Sequence, residues 1–194
     1  MTKFYLPLDI ETTGLNQAQD RILEISWVLC DASLKEVTPQ RTFIVEHGHG
    51  WNEVWSLLRE NTSVRDMHVA SGLTHDLSAR SAYVLSDIAE ALISDLHDFK
   101  REDSTIHLVG KNVGFDREFL HNEFAFDGLW DSYVHHRVID LDTFKLEWAD
   151  LGIPFPEALN LHPHRAADDV QEALSIYRQI KDQLNNSDLR EVVL

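Results

Sequence analysis

The segment Phe4 to Ile10 alternates without a break: Phe4, Leu6, Leu8 and Ile10 point one way, while Tyr5, Pro7, Asp9 and Glu11 point the other. A period of two belongs to a β-strand, and its apolar face commits the strand to a core. The opposite, non-core face then carries two carboxylates, Asp9 and Glu11, at i and i+2. Pro7 cannot donate to a ladder, so a bulge or a one-sided pairing is expected there.

The rest of the chain extends that strand into a mixed sheet. TTGLNQAQD is turn-rich, and RILEISWVLCD and Arg41 to Val45 read as two further strands joined by the Ser33 to Gln40 connection, an antiparallel meander. From Trp51 to Phe99 the pattern is helical, most clearly over Asp87 to Phe99 (Ile88, Leu92, Ile93, Leu96, Phe99), with Ser81 and Ser86 as candidate caps. A short strand, Thr105 to Val109, leads through GKNVG into a helix over Phe115 to Phe124, and Arg137 to Leu141 leads into another helical stretch. After the Pro-rich loop GIPFPEALNLHP a last helix runs from about Arg165 to Leu184. A meander followed by alternating strands and helices is an α/β pattern, a mixed sheet flanked by helices. No linker or repeat divides it, so residues 1–184 are expected to form one domain and 185–194 a tail.

Charge narrows the partners. Seventeen Lys and Arg against 33 Asp and Glu leave a net charge of −16, which argues against a broad basic groove for duplex DNA. The single cysteine, Cys30, sits among apolar residues, which favours a reducing compartment and a buried thiol. No apolar run approaches the ~20 residues of a membrane span, so no membrane partner and a cytoplasmic location are expected.

Three acidic signals carry chemistry. In DIETTGL, desolvating Asp9 beside Glu11 raises the pKa of at least one unless a cation neutralises them. Hard Mg²⁺ suits such a pair and keeps positions open for water and phosphate oxygens, although a D-x-E pair by itself also fits a solvated face. In GKNVGFDREFL, Asp116 lies in the first turn of a helix, where the helix dipole alone favours an acid. In HPHRAADDVQEAL, steps of four, seven and eleven from Asp169 reach Ala173, Ile176 and Ile180, so Asp169 borders the apolar face and Asp168 projects away. With no basic residue one turn away, Asp169 needs a cation from elsewhere.

DIETTGL, an Asp in a Gly/Asn-led strand-to-helix segment, and H-x4-D near the carboxy terminus together resemble the DEDDh 3′–5′ exonucleases, over Phe4 to about Leu184. Within that superfamily SGL at Ser71 to Leu73 and HHRVIDLDTFK at His135 to Lys145 are most similar to oligoribonucleases. The resemblance implies a ribonuclease H-like fold and hydrolysis of short single-stranded RNA, with DNA as the rival substrate, to nucleoside 5′-monophosphates. It implies that Asp9, Glu11, Asp116 and Asp169 hold two divalent ions, Mg²⁺ or Mn²⁺, and that His164 is the general base, with His162 a competing candidate read as a loop residue. It implies substrate contacts from Thr12, Gly14, the wedge Leu15, His68, Ser71, Gly72, Lys111, Asn112 and Arg137.

Two positions depart from the pattern. His136 stands where oligoribonucleases have a Tyr that caps substrate from the neighbouring subunit, and Ser63 where they have an aromatic wedge; both bear on dinucleotide specialisation and on the homodimer the family implies. Trp51 and Trp55 lie nearby on a helix face that fits a core. The rivals are a proofreading or phage-like DNA exonuclease, a catalytically silent nucleotide-binding module, whose mark would be a lost acid, and a His-rich metal protein. The last lacks a close ligand set beyond His47/His49, His135/His136 and His162/His164.

Overall fold

In the computed structural model, which describes residues 2–46, 51–79, 82–124, 129–156, 159 and 164–186, six strands form one sheet in the order β4-β3-β2-β1-β5-β6. The strands are β1 (Thr2–Thr12), β2 (Ile22–Trp27), β3 (Arg41–Glu46), β4 (Tyr83–Val84), β5 (Ser104–Gly110) and β6 (Ile139–Asp140). The first three form the expected antiparallel meander, and β5 and β6 add in parallel beside β1. The helices are α1 (Trp51–Glu60), α2 (Thr62–Ala70), α3 (Leu73–Ala79), α4 (Leu85–His97), α5 (Val113–Glu123), α6 (Leu129–Tyr133), α7 (Leu141–Asp150) and α8 (Ala166–Asn186).

Strand β1 is covered on both faces, and here the sequence reading needs correction. Leu6, Leu8 and Ile10 pack with Ile88, Leu92 and Leu96 of α4 and Phe119 and Leu120 of α5. Tyr5, on the face read as non-core, packs with Val109, Leu141, Trp148 and the α8 stripe Val170, Ala173, Leu174, Tyr177 and Ile180. Each such side chain contributes roughly 1.5–3 kcal/mol by leaving water. As a central strand between antiparallel β2 and parallel β5, with helices on both faces, β1 is buried from Tyr5 onward except at half-buried Asp9, and only Thr2 and Lys3 at its start are exposed. A third cluster seats α1 and α3 through Val54, Leu58, Leu73 and Leu77 on Leu23 and Ile44, with Trp55 packed against it.

Pro7 behaves as a one-sided pair. Tyr5 and Cys30 exchange both backbone hydrogen bonds, whereas Pro7 only accepts, from Val28 N–H at 3.1 Å. The register shift falls further on, between Glu11 and Thr12. Strand β2 ends at Trp27, short of the expected 21–31, and resumes only as a bridge at Cys30, whose thiol is buried. Ser86 caps nothing, because α4 begins at Leu85 with Val84 as its cap, and Ser81 lies outside the described residues. The two-residue β4 and the short α6 have no periodicity long enough to read. Among the described residues no helix is long and apolar enough to cross a membrane.

Candidate active site

The site forms where the two helical layers meet over the end of β1. Helix α5 approaches from one face and α8 from the other, so acids far apart in sequence converge. Carboxylate oxygens of Asp9, Glu11 and Asp169 lie within 4.8 Å of one another, the one such group of metal-binding side chains among the described residues. Asp116, only 3% exposed, stands beside them and accepts the Ile10 N–H at 3.0 Å through Oδ1. The helix geometry of α8 separates the adjacent acids as expected: Asp169 joins the group and Asp168 does not.

Asp9, Glu11 and Asp116 are held above their ordinary ionisation range. Burial, then the charges of Asp169 and Glu24, push Glu11 from 4.5 to about 8. Burial also pushes Asp116 from 3.8 to about 8, against the opposing hydrogen bond from Ile10. Asp9 is raised by burial and then by Asp116, Glu11 and Asp169. Hard oxygen donors so crowded and desolvated fit a divalent cation, which would favour their ionised forms.

The cation that Asp169 needs from elsewhere in the chain is supplied by Lys111, 58 residues away. Lys111 Nζ donates to Asp169 Oδ1 at 3.0 Å and also contacts Glu172, one turn along α8. Desolvation pulls the Lys111 pKa down, but the bonds to Glu172 and Asp169 outweigh it, and the ammonium is stabilised. Read from the sequence as a phosphate contact, Lys111 is here bound to acids. Lys111→Met is expected to lower the melting temperature of EDTA-treated protein and to raise Mn²⁺ affinity by roughly tenfold, since one competing charge leaves the cluster. Calorimetric titration checks this, and weaker Mn²⁺ binding would contradict it.

His164 is exposed and held in the left-handed region at φ 61°, with its N–H donating to Asp169 Oδ2 at 3.0 Å. A non-glycine residue there costs on the order of 1 kcal/mol, a strain common at functional sites. His162 lies outside the described residues.

The substrate-contact candidates divide. Leu15 is 77% exposed because the loop behind it folds around Asp20: Thr13 Oγ1 donates to Asp20 Oδ1 and Asn16 N–H to Oδ2. A Cβ on Gly14 would fall 2.4 Å from Asp20 Oδ2, so any larger residue would displace the carboxylate around which the loop folds. Thr12 Oγ1 donates to Gly14 O at 2.6 Å. His68 requires correction. It is fully buried, its Nε2 bonded to Thr12 O at 2.8 Å and its Nδ1 3.8 Å from Glu11, so it supports the end of β1 from behind and offers no surface to a nucleotide. Burial lowers its pKa and keeps it neutral. Ser71 and Gly72 form the half-buried turn after α2, with Gly72 at φ 78°. Asn112, at φ 48°, makes the left-handed turn into α5. Arg137 is not brought to the acids: it is exposed and lines a cavity of about 370 Å³ with Lys3, Tyr5, His107 and His135. His107 pairs with Tyr5, and Tyr5 lies four residues, about 13 Å along the strand, from Asp9.

Sequence reasoning missed Glu24, Asp76 and Glu172. Glu172 had a signal in its i+3 spacing from Asp169, and Glu24 in being an acid inside an apolar strand. Asp76 had none.

No protein-family model matches the chain. It is 30% identical over 184 residues to the oligoribonuclease of Escherichia coli, covering 89% of this chain and 92% of that protein. It is 26% identical over 178 residues to the oligoribonuclease of Streptomyces avermitilis, covering 90% and 84% of the two chains. With a probable oligoribonuclease of Dictyostelium discoideum it shares 29% identity over 168 residues, covering 86% and 83%. Among solved structures it is similar to E. coli Exonuclease I in complex with a dT13 oligonucleotide, with a TM-score of 0.65 at 18% identity, covering 95% of this chain but only 42% of that one. That likeness is one of fold: the mixed sheet flanked by helices is the ribonuclease H-like exonuclease fold.

Proposed function

The chain belongs to the oligoribonuclease family of 3′–5′ exonucleases, and from that premise we propose that it hydrolyses short single-stranded RNA to nucleoside 5′-monophosphates with two divalent metal ions and His164 as general base. The observation that carries this reading is the convergence of Asp9, Glu11 and Asp169 within 4.8 Å beside buried Asp116. Asp9, Glu11, Asp116 and Asp169 would hold the ions. Bound there, Mg²⁺ or Mn²⁺ supplies an acidified water and charge stabilisation at the leaving oxygen. His164, exposed at the rim and fixed through Asp169, takes the proton of the attacking water. The water oxygen forms a bond to phosphorus, the P–O3′ bond breaks, the freed O3′ takes a proton from solvent to become the new 3′ hydroxyl of the shortened strand, and the released nucleotide carries the phosphate on its 5′ oxygen. Leu15 stacks against the terminal base from the rim.

Short strands suit the charge distribution. Of the four basic residues near the motifs, Lys111, Arg117, Arg137 and Arg165, three are engaged: Lys111 is bonded to Asp169 and Glu172, Arg165 to Glu24 and Asp76, and Arg117 to His136 O and Asp131, while Arg137 is exposed but lies away from the acids. A long phosphate track would need such cations free. Labelled two-, five- and twenty-nucleotide RNA and DNA, each with Mg²⁺, Mn²⁺ or EDTA, test the proposal. Hydrolysis of the short RNAs with metal and none with EDTA is expected, while preference for the twenty-nucleotide DNA would favour the DNA-exonuclease reading. His164→Ala is expected to lower turnover by about 10²–10⁴-fold and to spare Mn²⁺ affinity. Loss of that affinity in calorimetry would make His164 a ligand instead.

A further inference from the structure

Beneath the turn that carries His164 and Asp169 lies a partly buried ionic clamp joining three elements. Arg165 donates from Nε to Glu24 Oε2 at 3.2 Å and from Nη2 to Glu24 Oε1 at 2.8 Å, a two-pronged contact, and Nη2 also reaches Asp76 Oδ2 on α3 at 2.8 Å. Glu24, on β2 directly across from Glu11, is fully buried, and its Oε2 also accepts the Ala166 N–H at 2.9 Å. The Arg165 carbonyl in turn accepts the N–H groups of Asp168 and Asp169, both at 2.9 Å, and so starts α8. Side chain and backbone of this one residue therefore tie the first turn of α8 to the strand beside Glu11 and to α3.

We propose that Arg165 is a positioning residue, and that its fork on Glu24 and Asp76 sets the His164–Asp169 turn against Asp9 and Glu11. This deepens the proposed function and rests on it for the role of His164. The fork matters as much as the charge. A guanidinium presents coplanar donors that fix both distance and angle to a carboxylate, whereas an ammonium holds only a point contact and leaves the turn free to rotate. The turn has little slack of its own, because His164 is held in the left-handed region and its N–H must reach Asp169 Oδ2. A shift of about 1 Å in such a turn is enough to cost roughly 10²-fold in rate.

The test compares Arg165→Lys, which keeps the charge but loses the fork altogether, with Glu24→Gln, which loses the charge and one of the two acceptor oxygens but keeps the guanidinium. Both are assayed in the full chain, well below the melting temperature of each. Mn²⁺ affinity is read by calorimetry without substrate, and kcat and KM on five-nucleotide RNA at saturating Mn²⁺. Arg165→Lys is expected to weaken Mn²⁺ binding about tenfold and to lower kcat about 10–100-fold, with KM within about twofold of wild type. Glu24→Gln, whose single amide oxygen still accepts one prong while Asp76 still holds Nη2, is expected to lose less in both quantities. Wild-type values in Arg165→Lys would overturn the proposal. So would loss in Glu24→Gln alone, which assigns the effect to charge, or a raised KM with kcat unchanged, which makes Arg165 a substrate contact. A wild-type protein that binds Mn²⁺ but hydrolyses no RNA would sink the proposed function, while the Mn²⁺ comparison would still decide the clamp.

Discussion

Asp169→Ala is expected to reduce hydrolysis by about 10³-fold or more, whereas the neighbouring Asp168→Ala stays within about twofold of wild type, because ligand loss at a catalytic metal forfeits several kcal/mol of transition-state stabilisation. Asp169 is one of the three carboxylates within 4.8 Å of one another. It also accepts the Lys111 ammonium through Oδ1 and the His164 N–H through Oδ2, so alanine removes a ligand, an ion-pair partner and the anchor of the strained turn together. Asp168 shares the start of α8 but points away from the cluster. Asp169→Asn separates the roles, since the amide keeps an acceptor for His164 but is a poor ligand for a hard cation. Single-turnover hydrolysis of a five-nucleotide RNA at saturating Mn²⁺ measures all three variants. Equal losses at 168 and 169 would contradict the assignment of Asp169.

The second large effect is on stability. Glu11 and Asp116, pushed up to about 8, and Asp9, raised by the same burial, favour their neutral forms in the folded protein, whereas the unfolded chain ionises them near 4. In that window the folded state binds more protons than the unfolded one, so stability falls as pH rises. Their stabilising contribution is complete below the unfolded values and is lost as pH climbs toward about 8. EDTA-treated protein is therefore expected to melt at a lower temperature at pH 8 than at pH 5.5. Metal reverses the slope, because it binds the carboxylates that high pH supplies. At a hundredfold excess over Kd it adds about 2.7 kcal/mol, a rise of roughly 5–10 °C for a chain of this length. Scanning calorimetry from pH 5 to 8, with EDTA and with Mn²⁺, measures both trends. A metal-free melting temperature that rises with pH would mean that these acids are not buried together.

The sequence alone determined what depends on local spacing. The period-two run from Phe4 to Ile10 fixed β1 and placed Asp9 and Glu11 on one face, and the 3.6-residue period fixed α8 and turned Asp169 inward beside an outward Asp168. The missing donor of Pro7 fixed its one-sided pairing. These follow from bond geometry within a few residues, and no distant partner alters them.

Tertiary structure decided the rest, because it depends on which distant groups share a low-dielectric space. Tyr5 was read onto an open face, yet α8 folds back over it. Lys111 and Asp169 are 58 residues apart, and nothing in their spacing announces a bond. His68 looks like any exposed helical histidine until the fold buries it behind Glu11 and against Thr12 O. Glu24 shows in the sequence only as an acid inside an apolar strand, and nothing there names its partners; once Glu24 is buried, the penalty for leaving its charge unpaired makes the clamp with Arg165 and Asp76 obligatory.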